Sequence, residues 1–370
     1  MKKKLGIIFG GRSGEHEVSL QSARSIVNAV NRQRFDLVLI AVDKQGNWYL
    51  ADEGDYLNNP DDPANIELNV KADQQIALIP NNNSNKIMQL STGNELGCID
   101  VAFPIIHGTF GEDGGLQGFF SILNTPCVGA DIAGSAIAMD KLVAKQLLLQ
   151  SGVVVADYMV ADDRTDISDF VEIVTGKFGF PVFVKPACSG SSVGVFKAGS
   201  EKELEKSIVE ALKFDNQVLI EEAIRGREIE CAVLGNNELF ASVPGEVIPT
   251  HAFYSYKAKY IDAEGARLEM PANIPDDISS RIKQFAMKCY RALYCKGMAR
   301  VDMFLKEDGT LVLNEINTLP GFTKISMYPK LMELSGINYS GLIDRLVDLA
   351  FEQHKQKELQ LQHILSVSAY

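Results

Sequence analysis

The sequence holds one tryptophan, five histidines and six cysteines in 370 residues, and each scarcity narrows the field. The cysteines at 98, 127, 188, 231, 289 and 295 never form a Cys-x-x-Cys pair, and no histidine stands at finger spacing from one. A zinc-binding module is therefore excluded, and thiols without a pairing framework suit a reducing, cytoplasmic compartment. No basic run extends beyond Lys2, Lys3 and Lys4, and 36 Lys+Arg against 48 Asp+Glu leave a net charge of −12. That balance argues against a nucleic-acid partner. No apolar run approaches the roughly 20 residues of a membrane span, and the stretch from Leu5 to Phe9 is too short for a signal-peptide core. A Gly-x-x-x-x-Gly-Lys-Ser/Thr loop is also missing, which removes a Walker-type nucleotide site.

What is present reads as a soluble globular chain: 46% hydrophobic and 23% charged residues, at a length that predicts several domains. Leu5 to Phe9 forms a short buried strand, Gly10-Gly11-Arg12-Ser13-Gly14 a turn, and Val18, Leu20, Ile26, Val27 and Val30 mark a helix. Strand, glycine turn and helix open an α/β domain. Further strands are expected at Leu37 to Val42 and Val101 to Ile106, the latter delivering His107. The Asn- and Asp-rich stretch 52–94 reads as irregular connection with one or two short strands. Asp140 caps a helix to Gln150, Pro181 to Lys185 is a strand, and Ser200-x-x-Glu203 is a capping box before a helix to about Leu212. Strands at Val218 to Glu221 and Glu228 to Leu234, then helical spacing of Ile278, Ile282, Phe285, Cys289 and Leu293, complete the reading. The tail after Ala350 is expected to be a peripheral helix with a loose end. Domains are drawn at 1–130, 131–221 and 222–370.

The richest segment is two apolar runs, 299–305 and 311–317, around Asp308-Gly309. A two-residue turn there pairs positions summing to 617. Val301 then faces Ile316, Phe304 faces Leu313 and Leu305 faces Val312. Asp302 faces Glu315, and Arg300 faces Asn317. Facing carboxylates repel, so the pair is either a solvated surface feature or the seat of a hard cation such as Mg²⁺. Arg300 keeps its charge at any physiological pH and suits a developing oxyanion or phosphoryl group.

Other anion-handling candidates stay two-sided when taken singly. Lys185 ends a strand on the face of Phe183 and needs an anionic partner if buried. The Gly190-Ser191-Ser192-Val193-Gly194 loop is a plain turn or an anion cradle. Lys141 at a helix start is solvated, or sits there because a phosphate removes its conflict with the helix dipole. Glu221, Glu222 and Glu228 are surface acids or acceptors for a base and ribose. His107, beside the glycine-rich 108–115, is a site residue or one satisfied by backbone. The stretch Tyr254 to Tyr260 is a lid over an anion or an aromatic RNA patch, the latter at odds with the net charge.

The order of these motifs is more specific than any one of them. Gly-Gly-x-Ser-x-Glu-x-Glu-Val-Ser at 10–19, His-Gly-x-x-Gly-Glu-Asp-Gly at 107–114 and Met-Asp-Lys at 139–141 come first. Val-Lys-Pro and Gly-Ser-Ser-Val-Gly within 184–194, Tyr-x-x-Lys-Tyr at 256–260, Arg-Val-Asp at 300–302 and Asn-Glu-Ile-Asn-Thr-x-Pro-Gly at 314–321 follow. Together they closely resemble the D-alanine–D-alanine ligase family of the ATP-grasp superfamily, over residues 4 to about 350. The resemblance implies an α/β fold, α+β in parts, of three-domain ATP-grasp architecture: an N-terminal substrate-binding domain and two ATP-grasp domains, with a lid loop near 251–265. It implies an ATP-dependent ligase that joins two D-alanine molecules through an acylphosphate, for peptidoglycan precursors. An ATP-grasp carboxylate–amine ligase with another acceptor is the alternative, and a catalytically silent nucleotide-binding module is the rival from another class.

Residue by residue, the resemblance implies that Glu15 holds the first D-alanine's ammonium and forms a set with Ser191 and Tyr260. His107 would lie near that substrate's carboxylate. Lys141, Lys185 and Lys259 would reach phosphates, and Glu221, Glu222, Ile224 and Glu228 would serve adenine and ribose, although the family commonly has lysine at the place of Glu222. Asp302, Glu315 and Asn317 would ligate two Mg²⁺, with Mn²⁺ able to substitute. Arg300 and the Gly321 amide would form the oxyanion hole, and Ser326 with Met327 would receive the second carboxylate. A homodimer without nucleic-acid or membrane partners is implied, and keeping Tyr260 argues for an amine acceptor.

Overall fold

The computed structural model describes residues 2–82, 84–190, 192–249 and 266–367. Its first sheet orders the strands Trp48–Ala51, Phe35–Val42, Lys3–Gly10 and Val101–Pro104, with the last three parallel. Parallel strands covered on both faces read as continuous apolar runs, and here alternate residues enter two separate cores. Leu5, Ile7, Phe9, Leu39 and Ala41 face one core, while Ile8, Ile40 and Val42 face the other. The helix His16–Val27 lies against the first core through Leu20, Ala23 and Ile26. That same core takes in Met327–Leu334 and the helix Tyr339–Val367, so the end of the chain packs on its beginning.

The second sheet is antiparallel, in the order Tyr158–Asp162, Gln217–Glu222, Val182–Pro186, Phe196–Ala198. The helices Ile167–Phe178 and Glu201–Ala211 cover it, burying Val174, Leu204 and Ile208. The third sheet centres on Arg227–Gly235, Met298–Leu305 and Leu311–Asn317, with Gly245–Pro249 and Ala266–Glu269 outward of the first of these. Ile229, Cys231, Val233, Val301 and Met303 alternate onto the helix Asp276–Ala292, leaving Glu228, Glu230, Arg300 and Asp302 for the opposite face.

Four expectations need correction. Residues 52–94 are more ordered than expected: Leu57–Asn58 pairs with Glu67–Leu68, and Ile76–Asn81, Ser84–Gln89 and Glu95–Gly97 make a meander. Strands of two to six residues are too short to show a hydrophobic period, which hid them. The strand before His107 stops at Pro104. The capping box is half formed: Ser200 Oγ accepts from the Glu203 amide at 3.4 Å, but Glu203 reaches back to the Gly199 amide at 2.7 Å. The fourth correction is to the hairpin. Lys306 N–H bonds Thr310 C=O at 3.0 Å and Gly309 N–H bonds Lys306 C=O at 2.9 Å, with Gly309 at φ +80°. The connection is thus a three-residue loop ending in a left-handed glycine, so Leu305 pairs with Leu311 and Phe304 with Val312. An irregularity beyond Met303, with Asn314 as the extra residue, then restores Val301 opposite Ile316 and Asp302 opposite Glu315. Leu313 accordingly joins Met303 in the core under the helix and not Phe304.

Candidate active site

Gly10 and Gly11 end their strand at φ +89° and +96°. A Cβ on Gly10 would lie 2.2 Å from the Val42 carbonyl oxygen, so only glycine permits the turn that puts Glu15 at the start of its helix. Glu15 is 7% exposed, and its carboxylate packs on Gly108, where a Cβ would come within 2.9 Å of Oε2. Ser13 Oγ donates to the His107 carbonyl at 2.7 Å and accepts from the Glu15 amide at 3.1 Å, which fastens the two glycine-rich loops to each other.

His107 is buried. Its Nε2 lies 3.0 Å from Ser22 Oγ, and its Nδ1 lies 3.0 Å from the Leu319 carbonyl oxygen. Burial pulls its pKa down, against the pull of Glu15 and of the Leu319 bond, which favours the uncharged ring. Glu112 accepts from the Gly108 amide at 3.0 Å. Burial first, and Glu15 second, push the Glu112 carboxyl well above the usual carboxylate range.

Glu15, Glu112, Met139, Lys141, Ser189, Gly190, Glu315, Asn317 and Thr318 line one cleft. Five stretches of chain far apart in sequence meet there. Lys141 heads the helix Lys141–Gln150, which Asp140 caps by accepting from the Leu142 and Val143 amides at 2.9 and 3.1 Å. The Lys141 ammonium donates to the Ser189 carbonyl, and burial lowers its pKa despite nearby Glu315.

Beside the cleft a buried charge cluster spans helix and sheet. Glu221 takes Lys185 Nζ at 2.8 Å on one oxygen and Lys145 Nζ at 3.1 Å on the other. Burial alone would raise its pKa, but Lys185 and Lys145 hold the carboxyl down at about 2. Lys185 Nζ also donates to Asn314 Oδ1 at 3.1 Å, so the extra residue of the hairpin supplies this contact. Lys145 was not among the residues expected at the site. Its position on the stripe of Ala144 and Leu148 was the available signal.

On the open face of the third sheet, Arg300 meets Asp302 at 2.8 and 2.7 Å and Glu230 at 3.0 Å. Among the described residues, Arg300 is a positive charge that faces Asp302. Among the described residues no group of three or more His, Cys, Asp or Glu side chains converges as a metal site. The donor set is instead two carboxylates and an amide: Asp302 and Glu315 in direct register, with Asn317 two residues along. Oxygen donors of this kind, few in number, suit Mg²⁺ shared with phosphates, and in that chemical sense the residues fit the ion. Asn317 Oδ1 also accepts from the Leu319 amide at 3.1 Å, which ties the strand end to the following loop.

That loop carries Gly321 and Ser326. Ser326 Oγ accepts from the Thr323 amide at 3.0 Å, and a Cβ on Gly321 would lie 3.1 Å from it, so the two are neighbours. Met327 follows, buried, at the start of its helix. Ile224 is half-buried in the turn between two strands, and Glu228 pairs with Phe304 and Val247. Glu222 stands apart: its Oε1 accepts from the Asp157 amide at 3.0 Å, a bond within the second sheet. Ser191, Lys259 and Tyr260 lie outside the described residues. Glu112, Ser22, Glu230 and Asn314 are the further polar groups that sequence reasoning did not select.

Comparison with known proteins places this geometry. A family model for the D-ala D-ala ligase N-terminus matches residues 4–130, and one for the D-ala D-ala ligase C-terminus matches residues 147–348. The chain is 51% identical over 355 residues to a D-alanine–D-alanine ligase of Shouchella clausii, covering 96% of each. It is 49% identical over 355 residues to D-alanine–D-alanine ligase A of Escherichia coli K12, covering 95% of this chain and 97% of the other. Among solved structures it superposes on the D-alanine–D-alanine ligase of Coxiella burnetii with TM-score 0.85 at 34% identity, covering 100% and 99% of the two chains. On the VanG D-Ala:D-Ser ligase of Enterococcus faecalis the TM-score is 0.81 at 34% identity, covering 95% and 100%.

Proposed function

The chain belongs to the D-alanine–D-alanine ligase family, with its three-domain ATP-grasp architecture, and catalyses ATP-dependent joining of two D-alanine molecules; we propose that the cleft between Glu15 and Asn317 is where it does so. The observation that carries this assignment is the meeting of Glu15, Lys141, Glu315 and Asn317 around one cleft. An anionic, cation-bearing end there adjoins an ammonium-binding end.

The first D-alanine sets its ammonium on Glu15, beside His107. Its carboxylate oxygen attacks the γ-phosphorus of ATP, ADP leaves, and an acylphosphate results. Lys141 and Lys185, with Lys259, hold phosphate oxygens, because phosphoryl transfer asks mainly for positioning and charge neutralisation. The Glu221 carboxylate is taken up by Lys145 and Lys185, so its contact with adenine falls to its main chain, with Ile224 and Glu228 serving base and ribose. Glu222, bonded to Asp157, flanks that site. Asp302, Glu315 and Asn317 are the residues that would hold two Mg²⁺, or Mn²⁺, whose chemistry is to neutralise the phosphate oxygens.

The amine of the second D-alanine, once it has lost a proton, attacks the acyl carbon. Arg300 and the Gly321 N–H stabilise the oxyanion, whose collapse expels phosphate and leaves the peptide bond. Ser326 Oγ and the Met327 N–H receive the second carboxylate. Family resemblance assigns Ser191 and Tyr260 to a set with Glu15; both lie outside the described residues. Family resemblance also supports a homodimer in the cytoplasm and domain limits at 130 and 221. No helix among the described residues is long and apolar enough to cross a membrane.

The test is incubation with ATP, Mg²⁺ and D-alanine, following phosphate and dipeptide, with L-alanine, D-serine and D-lactate as competitors. Release of one phosphate per D-alanyl-D-alanine, with the other acceptors disfavoured, is expected. ATP turnover indifferent to D-alanine would refute the reading.

A further inference from the structure

Ser22 lies fully buried on the helix His16–Val27, one turn beyond Ser19. Ser19 Oγ donates to the Ile105 carbonyl at 2.5 Å and accepts from the Gly10 amide at 2.8 Å, so it fastens strand ends of the first sheet. Ser22 reaches the other way. A carbonyl oxygen can only accept, so the His107 nitrogen facing Leu319 carries the hydrogen. In a neutral ring the other nitrogen is then bare, and Ser22 O–H must donate to it. The Ser22 oxygen keeps a lone pair, which meets the Phe322 amide at 3.4 Å. Every bond direction in the chain from Phe322 through Ser22 and His107 to Leu319 is therefore determined.

The two ends of this chain are the backbone atoms on either side of Pro320 and Gly321. We infer that Ser22 is a positioning residue for the 319–322 turn, acting through His107 to aim the Gly321 N–H at the oxygen that becomes the oxyanion. The inference rests on the role proposed above for Gly321. Phe322 also anchors the turn, with its ring against Phe103 and Tyr339 and its carbonyl accepting from the Tyr339 hydroxyl. Those contacts hold the far side of the turn. Leu319 on the near side has His107 Nδ1 on its carbonyl and Asn317 on its amide. Removing the Ser22 hydroxyl leaves Nε2 buried with no donor. The Nδ1–H bond to Leu319 is retained, because an Nε2–H there would meet no acceptor, but the ring loses the bond that fixes its other side and the Phe322 amide loses Ser22 as acceptor, so the turn loosens.

The experiment combines kinetics with ¹⁵N NMR of histidine-labelled protein, in which the His107 signals are identified by their loss in His107→Gln. Wild-type His107 is expected as the Nδ1–H tautomer. Ser22→Ala is expected to keep that tautomer, to move the Nε2 signal to that of a nitrogen accepting no hydrogen bond, and to lower kcat by about 10- to 100-fold, the scale of a small misplacement near the reacting atoms, with KM for ATP unchanged. Ser22→Thr, which keeps the hydroxyl, should restore most of kcat and the wild-type Nε2 signal. An Nε2–H tautomer in the wild type, or unchanged kcat in Ser22→Ala, would overturn the inference. So would an equal loss in Ser22→Ala and Ser22→Thr. Should Ser22→Ala fail to fold, the wild-type tautomer and the Thr variant still decide. A wild-type protein that makes no dipeptide would instead refute the ligase assignment, leaving the tautomer result intact.

Discussion

Lys185 Nζ and Glu221 Oε2 lie 2.8 Å apart, on neighbouring antiparallel strands, at 16% and 5% side-chain exposure. A second lysine, Lys145, takes the other oxygen of the same carboxylate. One buried acid therefore organises two cations, and its removal has consequences for stability as well as for nucleotide binding.

Glu221→Gln should destabilise the protein by about 3 kcal/mol at neutral pH, since a pKa held at about 2 against 4.5 represents that much differential interaction. The folded-state value is the lower one. The contribution is present above pH 4.5 and fades as pH falls from there towards 2. Denaturant melts across that range should show the variant's deficit shrinking with acid. A constant deficit would mean that the carboxylate is not the source.

Glu315→Ala should reduce turnover by more than about 100-fold, the scale of losing transition-state charge stabilisation. The fold should survive, because like charges in direct register gain nothing from each other. Circular dichroism and thermal melts check the fold, and phosphate release checks the activity. Chelation of wild-type protein should abolish turnover, and Mg²⁺ or Mn²⁺ should restore it. Near-normal activity of the variant in Mg²⁺ would contradict the assignment.

Arg300→Lys keeps the charge but loses the planar fork that meets Asp302 with two nitrogens. We expect kcat to fall by about 100-fold with little change in KM for ATP. A rise confined to that KM would place Arg300 in nucleotide binding instead.

Asn314→Leu removes the amide oxygen that accepts from Lys185. KM for ATP should rise by about 10- to 100-fold, the worth of a hydrogen bond to a charged group, while kcat changes less. Equal loss in both would indicate that the hairpin itself had shifted.

Much of the site was legible because its residue types carry their own constraint. Asp302 opposite Glu315, and Arg300 opposite Asn317, follow from two apolar runs and one Asp-Gly signal. The route to that register was misread: the loop holds three residues, and the irregularity at Asn314 offsets the difference. Neither deviation changes composition, so hydrophobic pattern alone could not show them. Ser22 resembles any serine on a helix until its burial is known, and Lys145 resembles a solvated helix lysine until Glu221 of the second sheet is seen to reach it. Glu112, within the 107–114 motif, showed no sign of the burial that raises its pKa.

The hairpin's compensation has a consequence for how this chain can vary. Loop length at the tip and the extra residue at Asn314 form a matched pair of offsets. Deleting one residue from 307–309 alone would rephase the far strand, turning Glu315 towards the helix-covered core and presenting Ile316 or Asn314 to Asp302. Length changes at this tip, though on the protein's surface, are thus tied to chemistry several residues away. Natural or engineered variants should alter both places together or neither.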